Sequence, residues 1–277
     1  MKPFSYHNHT TFCDGKHTVE EMVQYAIKNG CDVIGFSGHS REDENDGYSM
    51  PMQSLNDYKA EVRRVGEKYK DQIKVYLGIE QEYVTSPEPF AEGFDYKIGS
   101  VHNVLTKDGV KYQIDHSEAR FLEGVREGFG GDVYAYCENY FEYLANVHDR
   151  TGCQIVGHLD LVTKFNEGDV HFDENNERYV AAAERAIKKL CAQGMIFEIN
   201  TGAISRGHRT VPYPSKRFLE AIRREGGRIT YSSDCHDGNY IACAFEESVA
   251  LAKECGFEGF MKLTDNGFVF EKFDDEE

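Results

Sequence analysis

Apolar residues recur along the chain with two different spacings. Seven short runs are rich in apolar, β-branched and aromatic residues: PFSYHNH, DVIGFSGHS, KVYLGIEQEY, FDYKIGSVHNV, QIVGHLDLV, MIFEINTG and RITYSSDCH. Between most of them, apolar residues recur every three to four positions, as in TVEEMVQYAIKNG, SLNDYKAEVRRVGEKYK, NNERYVAAAERAIKKLCAQG, SKRFLEAIRREGG and ACAFEESVALAKECG. Strands that alternate with amphipathic helices predict an α/β fold with a parallel sheet, either open or closed into a barrel.

Local signals mark where several of these elements begin and end. Thr18 followed by Glu21 has the spacing of a capping box and opens the first helix, and several helical stretches end in glycine. The final segment FEGFMKLTDNGFVFEKF carries Asn-Gly between two apolar runs and predicts a terminal hairpin. The segment after residue 104 exceeds one strand–helix unit, so we expect an insertion around 104–140 that covers the active site.

Composition narrows the kind of protein that these elements form. A chain of 277 residues can bury a large core, and no linker divides it, so we expect a single domain over 1–277. The net charge of −17 disfavours nucleic acid as a partner. The eight scattered cysteines, the absence of an apolar leader and the absence of a membrane-span pattern predict a reduced, cytoplasmic protein without a membrane partner.

Metal-ligand residue types stand at the ends of successive predicted strands. They are His7, His9, His39, Glu80, His102, His158, Asp234 and His236. The carboxyl ends of parallel strands in a barrel meet on one face, where the active site forms. Residues at i and i+2 of a strand point the same way, so His7 with His9, and Asp234 with His236, are expected to be presented together. Imidazoles with carboxylates suit zinc, iron or manganese.

A single histidine at a strand end is more often an ordinary core or surface residue than a ligand. A metal site is therefore indicated only by the whole set, which occurs at the same end of successive strands. The remaining histidines lie in predicted loops or helices and are expected to have no such role: His17, His116, His148, His171 and His208.

The ordered motifs HNHTTFCDG, SGHS, GIEQEY, GSVH, GHLD and SDCH resemble the PHP family (polymerase and histidinol phosphatase) from residue 5 to about 240. Within that family, EINTGAISRGHRTVPYP at 198–214 is similar to the histidinol-phosphate phosphatases. The resemblance implies a distorted (β/α)7 TIM-like barrel with three divalent metal ions at the carboxyl ends of its strands.

The resemblance also implies how the ligands are shared among the ions. The first ion would be bound by His7, His9, Glu80 and Asp234. The second would share Glu80 as a bridge and add His102 and His158. The third would be held by Asp14, His39 and His236, and the ions would be Zn, Mn or Fe.

Catalysis and substrate binding are expected to involve further residues. Glu80, Asp234 and His236 would act through the ions they bind, while Asp160 would either shuttle a proton or orient a metal ligand. Lys164, Arg206 and Arg209 are candidates to bind phosphate, against the alternative that they are solvated loop charges. Asn200 and Thr201 end the sixth strand and are expected to line the pocket, and acidic or aromatic residues of the insertion to contact the leaving group.

The function implied is hydrolysis of L-histidinol phosphate to L-histidinol and phosphate in histidine biosynthesis. Three alternatives remain open from the sequence: a phosphatase in the same fold acting on phosphotyrosine or another small monoester, a metal-dependent exonuclease, and a non-catalytic metal-binding module. The net charge weighs against the exonuclease. The complete set of ligand positions weighs against the non-catalytic module.

Overall fold

Eleven strands are found in the computed structural model, which describes residues 1–41 and 47–274. They are β1 (Phe4–Ser5), β2 (Val33–Phe36), β3 (Lys74–Glu82), β4 (Tyr96–Ser100), β5 (Asn103–Leu105), β6 (Lys111–Gln113), β7 (Ile155–Val156), β8 (Ile196–Asn200), β9 (Arg228–Ser232), β10 (Gly259–Thr264) and β11 (Gly267–Lys272). Seven of them form one parallel sheet in the order β1-β2-β3-β4-β7-β8-β9. Each of the seven apolar runs identified in the sequence supplies one of these strands.

The two edges of the parallel sheet meet beyond the ends of β1 and β9. Asn8 and Cys235 form a parallel bridge there. The N–H of His9 donates to the carbonyl of Cys235 at 2.9 Å, and the N–H of Cys235 donates to the carbonyl of His7 at 3.1 Å. The sheet is therefore a nearly closed seven-stranded barrel, as expected, and it is distorted because β1 and β7 each have two residues.

The helices of the described residues lie in the connections between the strands. They are α1 (Val19–Lys28), α2 (Leu55–Tyr69), α3 (Glu118–Glu123), α4 (Val133–Ala145), α5 (Val147–Thr151), α6 (Glu177–Ala192), α7 (Gly202–Ser205), α8 (Lys216–Arg224) and α9 (Phe245–Glu254). The capping box of α1 is confirmed: the Glu21 N–H donates to Thr18 Oγ1 at 3.3 Å and the Thr18 N–H donates to Glu21 Oε2 at 2.8 Å. Across the described residues, no helix is long and apolar enough to cross a membrane.

Tyr96 fills the barrel interior. It is buried, and its hydroxyl donates to the main-chain oxygen of Tyr6. A Cβ atom at Gly35 or Gly78 would overlap the Tyr96 ring. These two glycines in β2 and β3 therefore make room for one large side chain, which is how a small barrel is packed without a central void.

The terminal hairpin is confirmed, although the glycine of the predicted Asn-Gly turn lies just after the turn and not within it. Strands β10 and β11 pair antiparallel around the two residues Asp265 and Asn266, and Gly267 begins β11 with φ 97°. Strand β10 packs against β9. The N–H of Leu263 in β10 donates to the Tyr6 hydroxyl at 2.7 Å.

The segment predicted as an insertion folds into a hairpin and short helices. Strands β5 and β6 pair antiparallel, and α3, a π-helical turn over Gly124–Gly128 and the start of α4 follow. Gln113, Asp115 and His116, at the end of this hairpin, lie on the wall of a cavity over the carboxyl ends of the barrel strands.

Candidate metal centre

The nine residues expected to bind metal lie together at the carboxyl ends of the barrel strands. His7 and His9 follow β1, His39 follows β2, Glu80 lies within β3, His102 follows β4, His158 follows β7, and Asp234 and His236 follow β9; Asp14 comes from the loop after β1. Potential ligand atoms lie within 4.8 Å of one another in four groups: His9–Asp14–His39–His236, His7–Glu80–His158, His7–His9–Asp234 and His39–Glu80–His102. The barrel thus brings together side chains up to 229 positions apart.

Glu80 is at the centre of the cluster. It is buried in β3, and five imidazoles approach its two carboxylate oxygens. The nitrogen–oxygen distances are 2.7 Å for His39, 3.0 Å for His158, 3.2 Å for His7, 3.3 Å for His102 and 3.7 Å for His9. One carboxylate is therefore positioned to be shared between neighbouring cation sites.

Asp14 belongs to the second part of the cluster. Its carboxylate lies 3.3 Å from His236 Nε2, 3.7 Å from His39 Nε2 and 3.6 Å from His9 Nδ1. The other nitrogen of His9, Nε2, lies 3.4 Å from Asp234 Oδ1. His9 thus stands between the group around Asp14 and the group around Asp234.

Asp234 and His236 both face the cluster, but not because they alternate along a regular strand as expected. Strand β9 ends at Ser232, and Asp234 has φ 48°, so regular strand alternation is the wrong reason for their shared direction. A left-handed residue turns the chain at this point. The guanidinium of Arg206 holds the turn, since it donates to the Asp234 carbonyl and to Asp234 Oδ2, each at 3.0 Å.

The donor set fits metal cations. His7 Nε2 and His9 Nε2 are buried and make no hydrogen bond within the described chain. Such orphaned polar atoms are costly unless something binds them. Neutral imidazole and carboxylate donors suit zinc, manganese and iron.

Electrostatics point the same way. Burial would raise the pKa of Glu80, but His7 and His39 hold it well below its usual range. Burial would likewise lower the pKa of His7, but Glu198 and Glu80 raise it above its usual range. Glu80 and the imidazoles around it thus shift one another toward their charged forms, so the site favours positive charge beside Glu80, which bound cations would supply. By contrast, burial and the nearby His236 and His39 lower the pKa of His9 to about 3, so its ring is neutral at pH 7.

Two buried carboxylates behind the ligands were not identified from the sequence. Glu198 in β8 lies 3.1 Å from His7 Nδ1, and its Oε1 accepts the N–H of His158 at 2.8 Å. Glu82 at the end of β3 lies 2.8 Å from His102 Nδ1. The signal available in the sequence was an acidic residue inside an apolar strand, as in MIFEINTG. Such carboxylates orient ligating imidazoles.

The cavity over the cluster contains two of the three cations expected to bind phosphate. Lys164 and Arg206 line its wall. Tyr48, Gln113, Asp115, His116 and Leu161 line it as well. His116 lies on this wall because the β5–β6 hairpin turns the following residues toward the cluster, and it is in none of the groups of potential metal ligands found in the described residues.

Three other residues expected at the pocket lie outside its lining, because their polar groups are used elsewhere. Arg209 is bound to Glu174 at 2.8 Å and to the carbonyl of Thr163 at 2.9 Å. Asn200 donates to Glu198 at 2.7 Å, and the Thr201 hydroxyl donates to the carbonyl of Cys243 at 2.9 Å. Arg209 and Thr201 therefore hold loops in place, while Asn200 supports Glu198.

Asp160 also lies behind the cavity wall. Its Oδ2 accepts the N–H of Ser215 at 2.9 Å, just before α8 begins. Burial raises its pKa to about 6. The described hydrogen bond of the Asp160 carboxylate therefore anchors the start of α8, and it supports neither of the two roles expected, proton shuttle or orientation of a metal ligand.

Known proteins are similar to this chain in both sequence and fold. The family model described as PHP domain matches residues 5–202. The chain is 28% identical to "Probable histidinol-phosphatase" of Schizosaccharomyces pombe, over 92% of this chain and 87% of that protein, and 24% identical to histidinol-phosphatase of Lactococcus lactis, over 93% of each. The crystal structure of L. lactis histidinol phosphate phosphatase, complexed with zinc, L-histidinol and phosphate, superposes with a TM-score of 0.73 at 22% identity, over 97% of this chain and 99% of that one. The chain therefore belongs to the PHP domain family.

Proposed function

We propose that this protein is a metal-dependent phosphatase that hydrolyses L-histidinol phosphate to L-histidinol and phosphate, a reaction of histidine biosynthesis. The observation that carries the proposal is the buried carboxylate of Glu80 surrounded by five imidazoles at the floor of an open cavity. The names of the curated relatives support the choice of substrate, as does the ligand set of the L. lactis structure.

The proposed ligand assignment has three sites. His7, His9, Glu80 and Asp234 would bind the first ion, and Glu80, His102 and His158 the second. Asp14, His39 and His236 would bind the third. The groups His7–His9–Asp234 and His9–Asp14–His39–His236 support the first and third sites, with His9 where the two meet. The other two groups both contain Glu80 and join residues of different sites, which fits a shared carboxylate. Zn, Mn and Fe all suit these donors.

When bound, the ions would stabilise the charge of the phosphoryl group and provide a hydroxide nucleophile at neutral pH. The side chains around them would hold the substrate. Arg206 and Lys164 line the cavity with positive charge in a protein whose net charge is −17. Their local cations would attract the phosphate, and the planar guanidinium suits phosphate oxygens. Arg206 also fixes Asp234, so it would couple phosphate binding to the position of a metal ligand.

The test is a comparison of substrates on one metal-loaded preparation. Values of kcat/KM for L-histidinol phosphate, phosphotyrosine, p-nitrophenyl phosphate and a single-stranded DNA would be measured. We expect L-histidinol phosphate to exceed each of the others by at least about 10-fold. Equal values for the monoesters would refute the substrate while leaving the phosphatase class intact, and preferred release of nucleotides would favour an exonuclease. The Glu80→Gln variant, purified in parallel, controls for contaminating phosphatases.

We also propose a cytoplasmic location. All eight cysteines are free. Free thiols persist in a reducing compartment, whereas oxidising compartments favour disulfides.

A further inference from the structure

Asp115 is a carboxylate on the cavity wall that the metal cluster does not use. It follows β6, and its side chain is 27% exposed. Lys164 Nζ donates to the Asp115 main-chain oxygen at 2.7 Å and lies 3.3 Å from its Oδ2. Since Lys164 uses the main-chain oxygen and Oδ2, Oδ1 can accept a further hydrogen bond.

Among the described residues that line the cavity, Asp115 differs from the other carboxylates. Asp14, Glu80 and Asp234 all belong to the groups of potential metal ligands. Asp115 is in none of those groups and is contributed by the hairpin that lies over the barrel. It is therefore available to a bound molecule.

Asp115 is also ionised under all ordinary conditions. Burial would raise its pKa, but Lys164 and His102 lower it to about 2. A carboxyl group with so low a pKa is a poor proton donor at neutral pH, so a role as general acid does not suit it. Its constant negative charge suits a role in binding a positively charged group.

The surrounding charges explain why such a group is needed. Bound cations, Arg206 and Lys164 would make the cavity strongly positive, which favours phosphate but repels an ammonium group on the same substrate. An aminoalkyl phosphate carries both charges a few bonds apart. A fixed carboxylate on the wall removes the repulsion and accepts a charge-assisted hydrogen bond.

We infer that Asp115 binds the ammonium group of the leaving alcohol and thereby selects aminoalkyl phosphate monoesters over monoesters without a cationic group. The inference rests on the proposed function, because L-histidinol phosphate is such an ester. It assigns specificity to the β5–β6 hairpin, while the barrel ends supply the groups that bind metal and phosphate.

The experiment compares L-histidinol phosphate with its desamino analogue, 3-(imidazol-4-yl)propyl phosphate, on metal-loaded enzyme. The preference ratio is kcat/KM for the first divided by kcat/KM for the second. In Asp115→Asn the main-chain oxygen that holds Lys164 is retained while the charge is lost. We expect the preference ratio to fall by about 10- to 100-fold, the effect of losing a hydrogen bond to a charged group. Asp115→Ser serves equally if the asparagine variant does not fold.

Asp108→Asn is the matched control, because Asp108 lies in the same hairpin, is exposed and is outside the cavity lining. Its preference ratio should equal that of the wild type. An unchanged ratio in the Asp115 variants would overturn the inference, and so would an equal loss for both substrates. Failure of the proposed function looks different: the wild type would then show no preference for L-histidinol phosphate over p-nitrophenyl phosphate.

Discussion

At the scale of single residues, Glu80 has the most demanding position. A buried carboxylate is stable only when cations or hydrogen-bond donors surround it. Here five imidazoles surround it, and the facing nitrogens of His7 and His9 make no hydrogen bond within the described chain. The energetic need of this residue and the proposed chemistry therefore coincide. A cation between Glu80 and the imidazoles satisfies both.

Replacing Glu80 tests this directly. Glu80→Gln removes the charge shared between sites while keeping the shape of the side chain. We expect a loss of turnover of about 1,000-fold or more and fewer metal ions per chain, measured by steady-state kinetics and elemental analysis. Glu92→Gln, at an exposed position, is the control and should behave as the wild type. Wild-type metal content in Glu80→Gln would contradict the cluster.

Glu198 acts one step further from the metal sites. Its carboxylate contacts His7 Nδ1, the His158 N–H and Asn200 Nδ2, so it holds two ligand-bearing segments from a third strand. An amide has only one oxygen to accept these bonds. We therefore expect Glu198→Gln to retain metal 10- to 100-fold more weakly, measured by chelator competition.

Exposed Glu225 provides the control for that measurement, since Glu225→Gln makes the same chemical change far from the cluster. If Glu198→Gln held metal as tightly as Glu225→Gln, orientation of His7 by Glu198 would be unimportant. The assigned role would also be refuted if Glu198→Gln bound metal as tightly as the wild type but had a lower turnover per bound ion.

At the scale of elements, helix α1 fixes one end of the loop that carries Asp14. The loop runs from His9 to the cap residue Thr18, and the N–H of Lys16 donates to the carbonyl of His236 at 2.8 Å. The capping box sets where the helix begins. The position of Asp14 thus depends on a local signal as well as on the barrel.

Thr18→Ala should lower the free energy of unfolding by about 1 kcal/mol, because the Glu21 N–H loses its acceptor at the first turn. Urea unfolding of the metal-free protein measures the change. Glu21→Gln retains a side-chain acceptor for the Thr18 N–H and should be close to neutral. Equal stability of Thr18→Ala and the wild type would show that the cap contributes nothing here.

At the scale of the whole molecule, the barrel is organised around Tyr96. Gly78→Ala should destabilise the protein by about 1–3 kcal/mol, because the added methyl overlaps the buried ring. Gly66→Ala is the matched control: it lies in α2, where the new Cβ would have an ordinary contact of 3.4 Å with Val75. It should stabilise the protein by about 0.5–1 kcal/mol through helix propensity. Chemical denaturation of both variants distinguishes packing from a general effect of replacing glycine.

Metal removal is the second test at this scale. The nine candidate ligands lie in or follow six of the seven barrel strands, all but β8, so bound ions should stabilise the entire barrel. We expect dialysis against a chelator to abolish turnover and to lower Tm by about 10 °C. This is the effect expected of ions whose free concentration is well above their Kd for the folded protein. Adding Zn²⁺, Mn²⁺ or Fe²⁺ back should restore both. If chelator treatment changed neither Tm nor turnover, a resident metal would be excluded.

Much of the architecture follows from local features of the chain. The alternation of two apolar spacings predicted every barrel strand and five helices, since periodicity records which side of an element is buried. Eight of the nine proposed ligands could be selected because the ends of parallel strands converge, whatever the details of packing, while Asp14 was given only by the family resemblance. Two short-range signals, the spacing of Thr18 and Glu21 and the Asn-Gly pair of the final segment, predicted the capping box and the terminal hairpin.

Other features depend on how the elements pack, and spacing along the chain does not encode that. Arg206 and Arg209 are three residues apart and chemically alike, yet one lines the cavity and the other is bound to Glu174. Glu198 supports His7 only because β8 and β1 are brought together across the barrel. Asp115 lines the cavity because the β5–β6 hairpin lies over the cavity. Each of these roles is set by contacts between residues distant in sequence, so they emerge only once the barrel has closed.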